Sequence, residues 1–591
     1  NLQIRMKTAL TIVSWLLCLL LNPSYGLAGE DGLDASSADY VFRNGKVYTL
    51  DEKQPWAESV AVTGNQIAYV GENGGSAKWV GPETKVVDLK GRLLLPGFID
   101  GHNHYVAGAA TKRGVNLTGS QNTEEMLQRI RDYVTANPQK GAYMGFNWEF
   151  PMFGETGGTR QELDAISRNK PMIFFNEDTH HVWFNTQAMK LAGIGKDTPD
   201  PVPGGSYFQR GPDGTPSGIA IEPDAWQHMA IATGLFGGKE MLQDIVDEVL
   251  PLMPKLGITA YHDMGIWAPD MPKGYLGFEL LLDMEKAGKL PCRVVGNYAT
   301  RDGKASPDEH IQALKEWNVR YRSDLVQVTG LKVWADGVFL AHTGVQIEPY
   351  ADQPDTQGES DWTSDVLARW IEAAYSAGFD VNIHTDGDLA ARRSLDAVER
   401  VAQKLGPSAR LTTLHHLPTI HPDDIPRFAA LGVGANMTPV WLVDYKGQYG
   451  EANRILGKEK VEKEYGLLIP LLEAGVNVTF GSDIPGTDVA EAAPLFQIQA
   501  AVTGRVPGSA TTAMPPANRL PSLRQMINGY TLAGARQLRM ADRIGSIEVG
   551  KLADLIVLEK NLFDIPPDEI AATQVLLTMM NGKVRHREAG W

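Results

Sequence analysis

Cysteine is almost absent from this 591-residue chain, which contains only Cys18 and Cys292. Cys18 lies in an apolar N-terminal stretch that resembles a cleaved leader, so the mature chain would keep a single thiol. One cysteine forms no intramolecular disulfide, which excludes a fold held together by such bonds. The sequence around Cys292, KLPCRVVG, is typical of a buried small hydrophobe.

The chain also lacks an excess of positive charge. It has 55 Lys and Arg residues against 71 Asp and Glu residues, a formal net charge of −16. This balance argues against a nucleic acid or an anionic membrane as partner. With 43% hydrophobic and 21% charged residues and no low-complexity bias, the composition is that of a globular protein. Its length predicts about two to four structural units.

No long hydrophobic run is present, and the longest apolar stretch follows Met6 and Lys7 in MKTALTIVSWLLCLLLNPSYGLAGE. It is shorter than the ~20 residues of a membrane-spanning helix and is followed by small residues, so we interpret residues 1–28 as a signal peptide. Export to the periplasm or the medium is therefore expected, with no membrane contact after removal of the signal. A membrane anchor is the alternative.

Alternating apolar and polar residues predict short antiparallel strands near both ends of the mature chain. ADYVFRNGKVYTLD, WAESVAVTGNQIAYVG and TKVVDLKGRLLLPG have Asn-Gly, Gly-Asn and Lys-Gly at their turns. ADLIVLEKN and VLLTMMNGKVRHRE continue the pattern at the far end. We predict that residues 38–96 and 541–591 form one small composite β-sandwich domain that encloses the rest of the sequence.

Between residues 97 and 540, short apolar segments alternate with amphipathic helical patterns. The segments are FIDGHNH, GITAYHD, CRVVGNY, TGLKVWADG, DVNIHTDG, RLTTLHH, GVGANM and NVTFGSD. Eight such repeats predict an α/β fold of the TIM-barrel type, (β/α)₈, whose chemistry sits where the strands end. More than 150 residues separate the first two segments, which predicts an inserted α+β subdomain at about residues 115–240.

The first of these segments ends in His102 and His104. Residues i and i+2 of a strand point to the same side, so both imidazoles converge on one point. Two neutral imidazoles on one face form half of a metal site. Later segments also end in ionisable groups, namely Lys332, His384, the pair His415 and His416, and Asp483.

These residue types fit a hydrolytic metal site. Three or four histidines leave a zinc-type ion with open positions, at which the pKa of a water falls toward neutrality. Asp483 beside such a water is a candidate general base. Lys332 would repel a metal as an ammonium, so its structural alternative is a salt bridge to Asp336. Its functional alternative is the carbamate formed with carbon dioxide, which ligates as a carboxylate does.

The pattern resembles the amidohydrolase superfamily, and within it the amidohydrolase family 3 branch that includes N-substituted formamide deformylase-like enzymes. The resemblance spans about residues 40–590. Its landmarks are PGFIDGHNH, EDTHHVWFN, GITAYHDMG, LKVWADG, IHTDGD, HHLPTIHPDDIPRF, GSDIP and RIGSIEVGKLADLIVLEKN.

The resemblance implies a barrel with two divalent metal ions, commonly zinc. His102 and His104 would bind the more buried ion, Lys332 would bridge as an N-carboxylated lysine, and His384 and His416 would hold the second ion. Asp483 would be both ligand and general base. His415 falls where relatives often carry Glu, and only the register of the motif favours His416 over it.

Two residues of the predicted insert complete the candidate site. His180 is expected to act catalytically, as a substrate or oxyanion contact, and Trp148 to line the substrate pocket or pack within the subdomain. Glu222 is expected to be structural or part of the pocket wall. His181, His262, His342 and His421 are interpreted as loop or surface histidines.

The predicted function is hydrolysis of a carbon–nitrogen bond in a small non-peptide amide of the N-acyl or N-formyl type. The same site can open lactones or other esters, and a non-catalytic secreted binding protein is a further alternative. A mononuclear deaminase is disfavoured, because TDGDLAAR after His384 lacks a nearby Glu and leaves Lys332 without a role. A homo-oligomer is compatible with the sequence.

Overall fold

The computed structural model describes residues 37–149, 152–153, 158–235, 239–265, 274–406, 408–511, 514 and 519–591. The predicted signal peptide, residues 1–28, lies outside the described residues. Among the helices of these described residues, none combines the length and the apolar character needed to cross a bilayer.

Short strands fill the region before the barrel: β1 (Tyr40–Arg43), β2 (Lys46–Tyr48), β3 (Trp56–Ala57), β4 (Ser59–Thr63), β5 (Gln66–Gly71), β6 (Lys85–Asp88) and β7 (Leu93–Pro96). The predicted antiparallel pairing holds for β1 with β4 and for β4 with β5. It is wrong for β1 with β6 and for β2 with β7, which are parallel. The chain crosses over between β5 and β6 through the short helix Asn73–Ser76, and a crossover permits parallel pairing where a tight hairpin does not.

The first barrel strand, β8 (Phe98–Asn103), is followed by the insert. Its strands are β9 (Val115–Asn116), β10 (Tyr143–Trp148), β11 (Met172–Asn176), β12 (His181–Phe184), β13 (Tyr207–Arg210) and β14 (Pro216–Ile221). They form a mixed sheet in the order β13-β14-β12-β11-β10-β9. The helices after β8 and through the insert are Tyr105–Gly108, Thr123–Ala136, Arg160–Asp164, Thr186–Leu191 and Pro223–Ala232. Part of the insert packs around its own hydrophobic cluster, which includes Trp148, Phe174 and Trp183.

The remaining barrel strands are β15 (Ile258–Asp263), β16 (Arg293–Thr300), β17 (Val326–Trp334), β18 (Asp380–Thr385), β19 (Thr412–His416), β20 (Gly434–Met437) and β21 (Val478–Phe480). With β8 they form an eight-stranded sheet in the order β21-β20-β19-β18-β17-β16-β15-β8. Its hydrogen-bonded neighbours are all parallel. Each segment predicted as a barrel strand overlaps one of these strands, although β16 ends two residues after its segment and β17 begins three residues before its own. The nearly closed barrel therefore confirms that prediction.

Helices connect the barrel strands: Lys239–Val249, Leu276–Lys286, Pro307–Arg320, Ser364–Ser376, Asp388–Leu405, Ile425–Leu431, Gln448–Leu456, Lys458–Glu464, Leu468–Glu473, Pro494–Thr503, Leu523–Gly529 and Leu532–Gln537. Their ends follow from local sequence. Ser306 caps the helix that begins at Pro307 by accepting a hydrogen bond from the backbone N–H of Asp308. Gly432, with φ of 67°, ends the helix Ile425–Leu431 in the left-handed conformation that glycine tolerates best.

The chain then returns to the N-terminal strands through β22 (Leu555–Leu558), β23 (Val575–Met580) and β24 (Lys583–Arg587). β22 pairs antiparallel with β7, giving the sheet β24-β23-β22-β7-β2-β3. A second sheet, β5-β4-β1-β6, shares a hydrophobic cluster with it. The two ends of the described chain therefore bury apolar side chains against each other outside the barrel.

Candidate metal centre

The ionisable residues predicted at strand ends lie together at one end of the barrel. His102 belongs to β8, Lys332 to β17, His384 to β18 and His416 to β19, while Asp483 follows β21. Because all these strands run parallel, their carboxyl ends meet on the same side.

Asp483 lies at the centre of the group. Its Oδ1 atom is 3.1 Å from Nε2 of His102 and 3.5 Å from Nε2 of His104, and its Oδ2 atom is 3.9 Å from Nδ1 of His416. Ligand atoms of His102, His416 and Asp483 all lie within 4.8 Å of one another. These three residues could hold a metal ion, with His104 next to them.

The other nitrogens of these imidazoles are fixed by the protein. Nδ1 of His104 contacts the carbonyl oxygen of Gly265, and Nε2 of His384 lies 2.9 Å from the carbonyl oxygen of Gly337. The carbonyl contact leaves Nδ1 of His384 available, and its ring centroid is 4.5 Å from that of His416. A backbone acceptor on the far nitrogen is how proteins orient ligating histidines.

His415 and His416 occupy different surroundings. Nδ1 of His415 is 2.7 Å from Nδ1 of His102, and its Nε2 is 2.9 Å from Oδ1 of Asn382. His415 thus lies behind His102, whereas His416 faces Asp483. Successive residues of a strand already point to opposite sides, and His416, the last residue of β19, also has φ of 74°, which turns the backbone out of the strand conformation.

Burial sets the protonation of the cluster. It lowers the pKa of His102, His384 and His416 well below the ordinary range and lowers the pKa of His104 to about 4. These imidazoles are therefore neutral at neutral pH, the form that ligates metals. Burial also raises the pKa of Asp483, although His104 and Lys332 oppose it.

Lys332 fits the bridging role that the family resemblance implies. Its side chain is fully buried, and Nζ has no hydrogen-bond partner among the described residues. No ion pair to Asp336 forms: that carboxylate instead accepts from the backbone N–H groups of Val345, Asp386 and Gly387. Burial lowers the pKa of Lys332 to about 7, so a large fraction is the neutral amine, which can add carbon dioxide.

His180 approaches the cluster from the insert. Its ring centroid is 6.1 Å from that of His384, and its Nδ1 is 2.8 Å from Oε2 of Glu222. Burial alone would lower the pKa of His180, but the carboxylates of Glu222 and Asp178 outweigh it and raise the pKa to about 9. The sequence did not indicate that Glu222 pairs with His180. The available signal was a carboxylate directly after an apolar segment, in GIAIEP.

Of the two roles expected for Trp148, the structure shows packing within the insert and no contact with the two cavities at the metal centre. Its side chain is fully buried in the hydrophobic cluster of the insert, and its indole N–H donates to the carbonyl oxygen of Phe174 at 2.7 Å. Neither cavity at the metal centre includes it among its lining residues. The wide apolar surface of this indole stabilises the insert instead.

Two cavities open from the cluster, with volumes of about 130 and 90 Å³. Both are lined by His180, His384, His416 and Asp483. The larger one has an aromatic wall in which Trp441 stacks on His416, with ring centroids 5.8 Å apart. A bound molecule would therefore touch the ligand cluster and an apolar surface at once.

A parallel barrel whose carboxyl end gathers imidazoles around a partly buried carboxylate is typical of metal-dependent hydrolases. Residues 85–586 match the sequence profile of the amidohydrolase family, and the chain belongs to that family. Membership confirms the resemblance inferred from the motifs.

Similar proteins cover almost the whole chain. Protein LONG AFTER FAR-RED 3 of Arabidopsis thaliana is 29% identical over 92% of this chain and 91% of its own length. N-substituted formamide deformylase of Arthrobacter pascens is 25% identical over 93% of this chain and 99% of its own. The crystal structure of an uncharacterized metal-dependent hydrolase from Pyrococcus horikoshii superimposes with a TM-score of 0.69 at 22% identity, covering 89% of this chain and 99% of that one.

Proposed function

We propose that this protein is an exported metal-dependent amidohydrolase that cleaves the carbon–nitrogen bond of a small non-peptide amide, of the N-acyl or N-formyl type. The observation that carries the proposal is the position of Asp483, whose carboxylate lies between 3.1 and 3.9 Å from three imidazoles at the open end of the barrel. Similarity to a formamide deformylase over almost the full length supports the amide class.

We assign two divalent cations to the site, and the donor set favours zinc. Neutral imidazole nitrogens and carboxylate oxygens suit Zn²⁺. His102 and His104 would hold one ion, His384 and His416 the other, with Lys332 bridging as a carbamate and Asp483 as a further ligand. Bound there, the ions acidify water and polarise a carbonyl group.

The chain's own residues supply positioning and proton transfer. Asp483 takes a proton from the attacking water while the water oxygen bonds to the carbonyl carbon. When the carbon–nitrogen bond breaks, the electron pair stays on nitrogen, and Asp483 returns the proton to it. His180 contacts the amide group, and Trp441 provides a flat apolar surface for the substituent of the amide.

Intact mass and metal analysis of the purified protein, combined with a hydrolysis screen, tests the proposal. We expect two metals and one added carbon dioxide per chain, with turnover of N-acyl or N-formyl amines. Turnover of lactones or esters but not of amides would show that the protein is a lactonase or esterase. Metal binding without any turnover would favour a binding protein. Cleavage of residues 1–28 and recovery outside the cytoplasm test export, and gel filtration tests the homo-oligomer.

Asp483→Asn tests the base assignment. We expect a loss of about 10²- to 10⁴-fold in kcat, the range of general acid–base catalysis. Asp488→Asn is the matched control, because this nearby carboxylate is 40% exposed and pairs only loosely with Lys112 and Lys446, at 3.8 and 3.7 Å. If Asp483→Asn kept full turnover with its metals bound, Asp483 would not be the base.

A further inference from the structure

Glu222 links the insert to two loops of the barrel. It follows β14 of the insert, and its carboxylate accepts hydrogen bonds from Nδ1 of His180 at 2.8 Å and from Oγ1 of Thr343 at 2.6 Å. The guanidinium of Arg301 lies 3.4 Å away and is also 3.1 Å from Asp224. Arg301 follows β16 and Thr343 lies beyond β17, so the carboxylate connects three separate parts of the chain.

The backbone holds Glu222 and His180 together as well. The N–H of Glu222 donates to the carbonyl oxygen of His180 at 2.8 Å, and the N–H of His180 donates to Asp178 at 2.7 Å. Glu222 has φ of 66°, a conformation that non-glycine residues adopt rarely and that clusters at functional sites. The side chain is almost fully buried, with 2% exposed.

The opposite edge of the His180 ring is available to a ligand. Nδ1 is engaged by Glu222, and His180 lines both cavities that meet at His384, His416 and Asp483. Nε2 is therefore the nitrogen that a bound molecule can meet. A carboxylate whose only role was to neutralise Arg301 would not need a hydrogen bond to a histidine that lines the cavities.

We propose that Glu222 is a positioning residue, which fixes the imidazole of His180 so that Nε2 hydrogen-bonds the amide group of the substrate. This inference rests on the proposed function. It also assigns a role to the insert, which supplies a substrate contact that the barrel strands lack. A buried acceptor on Nδ1 restricts the rotation of the His180 ring and keeps a proton on that nitrogen, and this sets the direction in which Nε2 points.

A double-mutant cycle separates positioning from a structural role. We expect Glu222→Gln to lower kcat by about 10- to 100-fold with unchanged metal content, as for partners that orient catalytic ligands. His180→Asn should cost at least as much. In the His180→Asn background, Glu222→Gln should change kcat by less than about 2-fold, because residues that act through one another are not additive. If the loss of kcat in the double variant equalled the product of the losses in the two single variants, the inference would be overturned.

Asp554→Asn is the matched control. Asp554 is another buried carboxylate paired with an arginine, 3.0 Å from Nε of Arg293, and both side chains are 2% exposed. It pairs the terminal strands with the barrel and touches neither cavity. We expect lower stability with unchanged kcat for the folded protein. An equal fall in kcat would mean that any lost buried pair impairs the site, which would refute the specific role of Glu222.

A metal-free readout makes the two proposals separable. In the full-length metal-free protein labelled with ¹⁵N-histidine, the Nδ1–H proton of His180 should resonate downfield, because it donates to a buried carboxylate. The signal should vanish in His180→Asn, shift in Glu222→Gln and persist in Asp554→Asn. Its absence from the parent would overturn the positioning role. If the signal behaves as expected but the parent turns over no amide, the proposed function and the substrate contact fail together, while the Glu222–His180 pairing stands.

Discussion

Replacing Lys332 by methionine should stabilise the metal-free protein while abolishing its metal site. Lys332 is fully buried and its Nζ has no hydrogen-bond partner among the described residues. Burying such a polar group costs about 1 to 3 kcal/mol by mutational data. Methionine has a similar length without the amine, so we expect the free energy of unfolding to rise by about that amount.

The pH dependence has a definite sign. Burial lowers the pKa of Lys332 from its ordinary 10.5 to about 7 in the folded protein. Between these values the unfolded chain binds the proton that the folded chain has lost, so the stability of the metal-free parent increases with pH across this window. Lys332→Met removes the contribution, and its advantage should therefore be largest near pH 7 and shrink toward pH 10.

Urea denaturation of chelator-treated protein at pH 7 and pH 9 measures both effects. Saturating zinc should invert the order, because a ligand at 1,000 times its Kd stabilises the parent by about 4 kcal/mol and the variant lacks the bridge. Lys460→Met is the matched control, because it makes the same substitution at a lysine whose amine does have partners. Nζ of Lys460 lies 2.6 Å from Asp388 and 3.4 Å from Glu464. Breaking that buried pair should destabilise the protein by about 3 to 5 kcal/mol. A metal-free Lys332→Met variant less stable than the parent would refute the reasoning.

Further predictions concern the surroundings of the metals. His415→Gln should weaken metal affinity by about 10- to 100-fold, measured by chelator competition, because His415 holds Nδ1 of His102; unchanged affinity would contradict that role. Trp441→Ala should lower kcat/KM for amides with aromatic substituents by about 2- to 10-fold and leave formyl amides of small amines nearly unchanged, whereas an equal loss for both would argue against a substrate surface. Chelation should abolish turnover and zinc should restore it; activity that survives removal of all metal would exclude the proposed chemistry.

The barrel and most of its ionisable residues could be predicted from the sequence because the governing rules are local. Apolar segments between helical patterns marked the strands, and parallel strands bring their carboxyl ends together. The spacing of His102 and His104 places both imidazoles on one side of β8, and both do lie within 3.5 Å of Asp483. The terminal strands were also predicted, but their pairing was partly wrong, since alternation does not record which strand is the neighbour.

Choices that depend on distant residues were decided by the tertiary structure. His415 and His416 are adjacent in sequence, and only their contacts in the folded chain show that His416 faces Asp483 while His415 lies against His102. Trp148 was indistinguishable from a pocket residue until the insert was seen to have a hydrophobic cluster of its own. Glu222 meets His180, Arg301 and Thr343, which are 42, 79 and 121 residues away. The sequence by itself determined which ionisable groups lie at the ends of the barrel strands. Only the tertiary structure decided which of them are in contact, because contacts between residues so far apart in the chain produce no pattern in the local sequence.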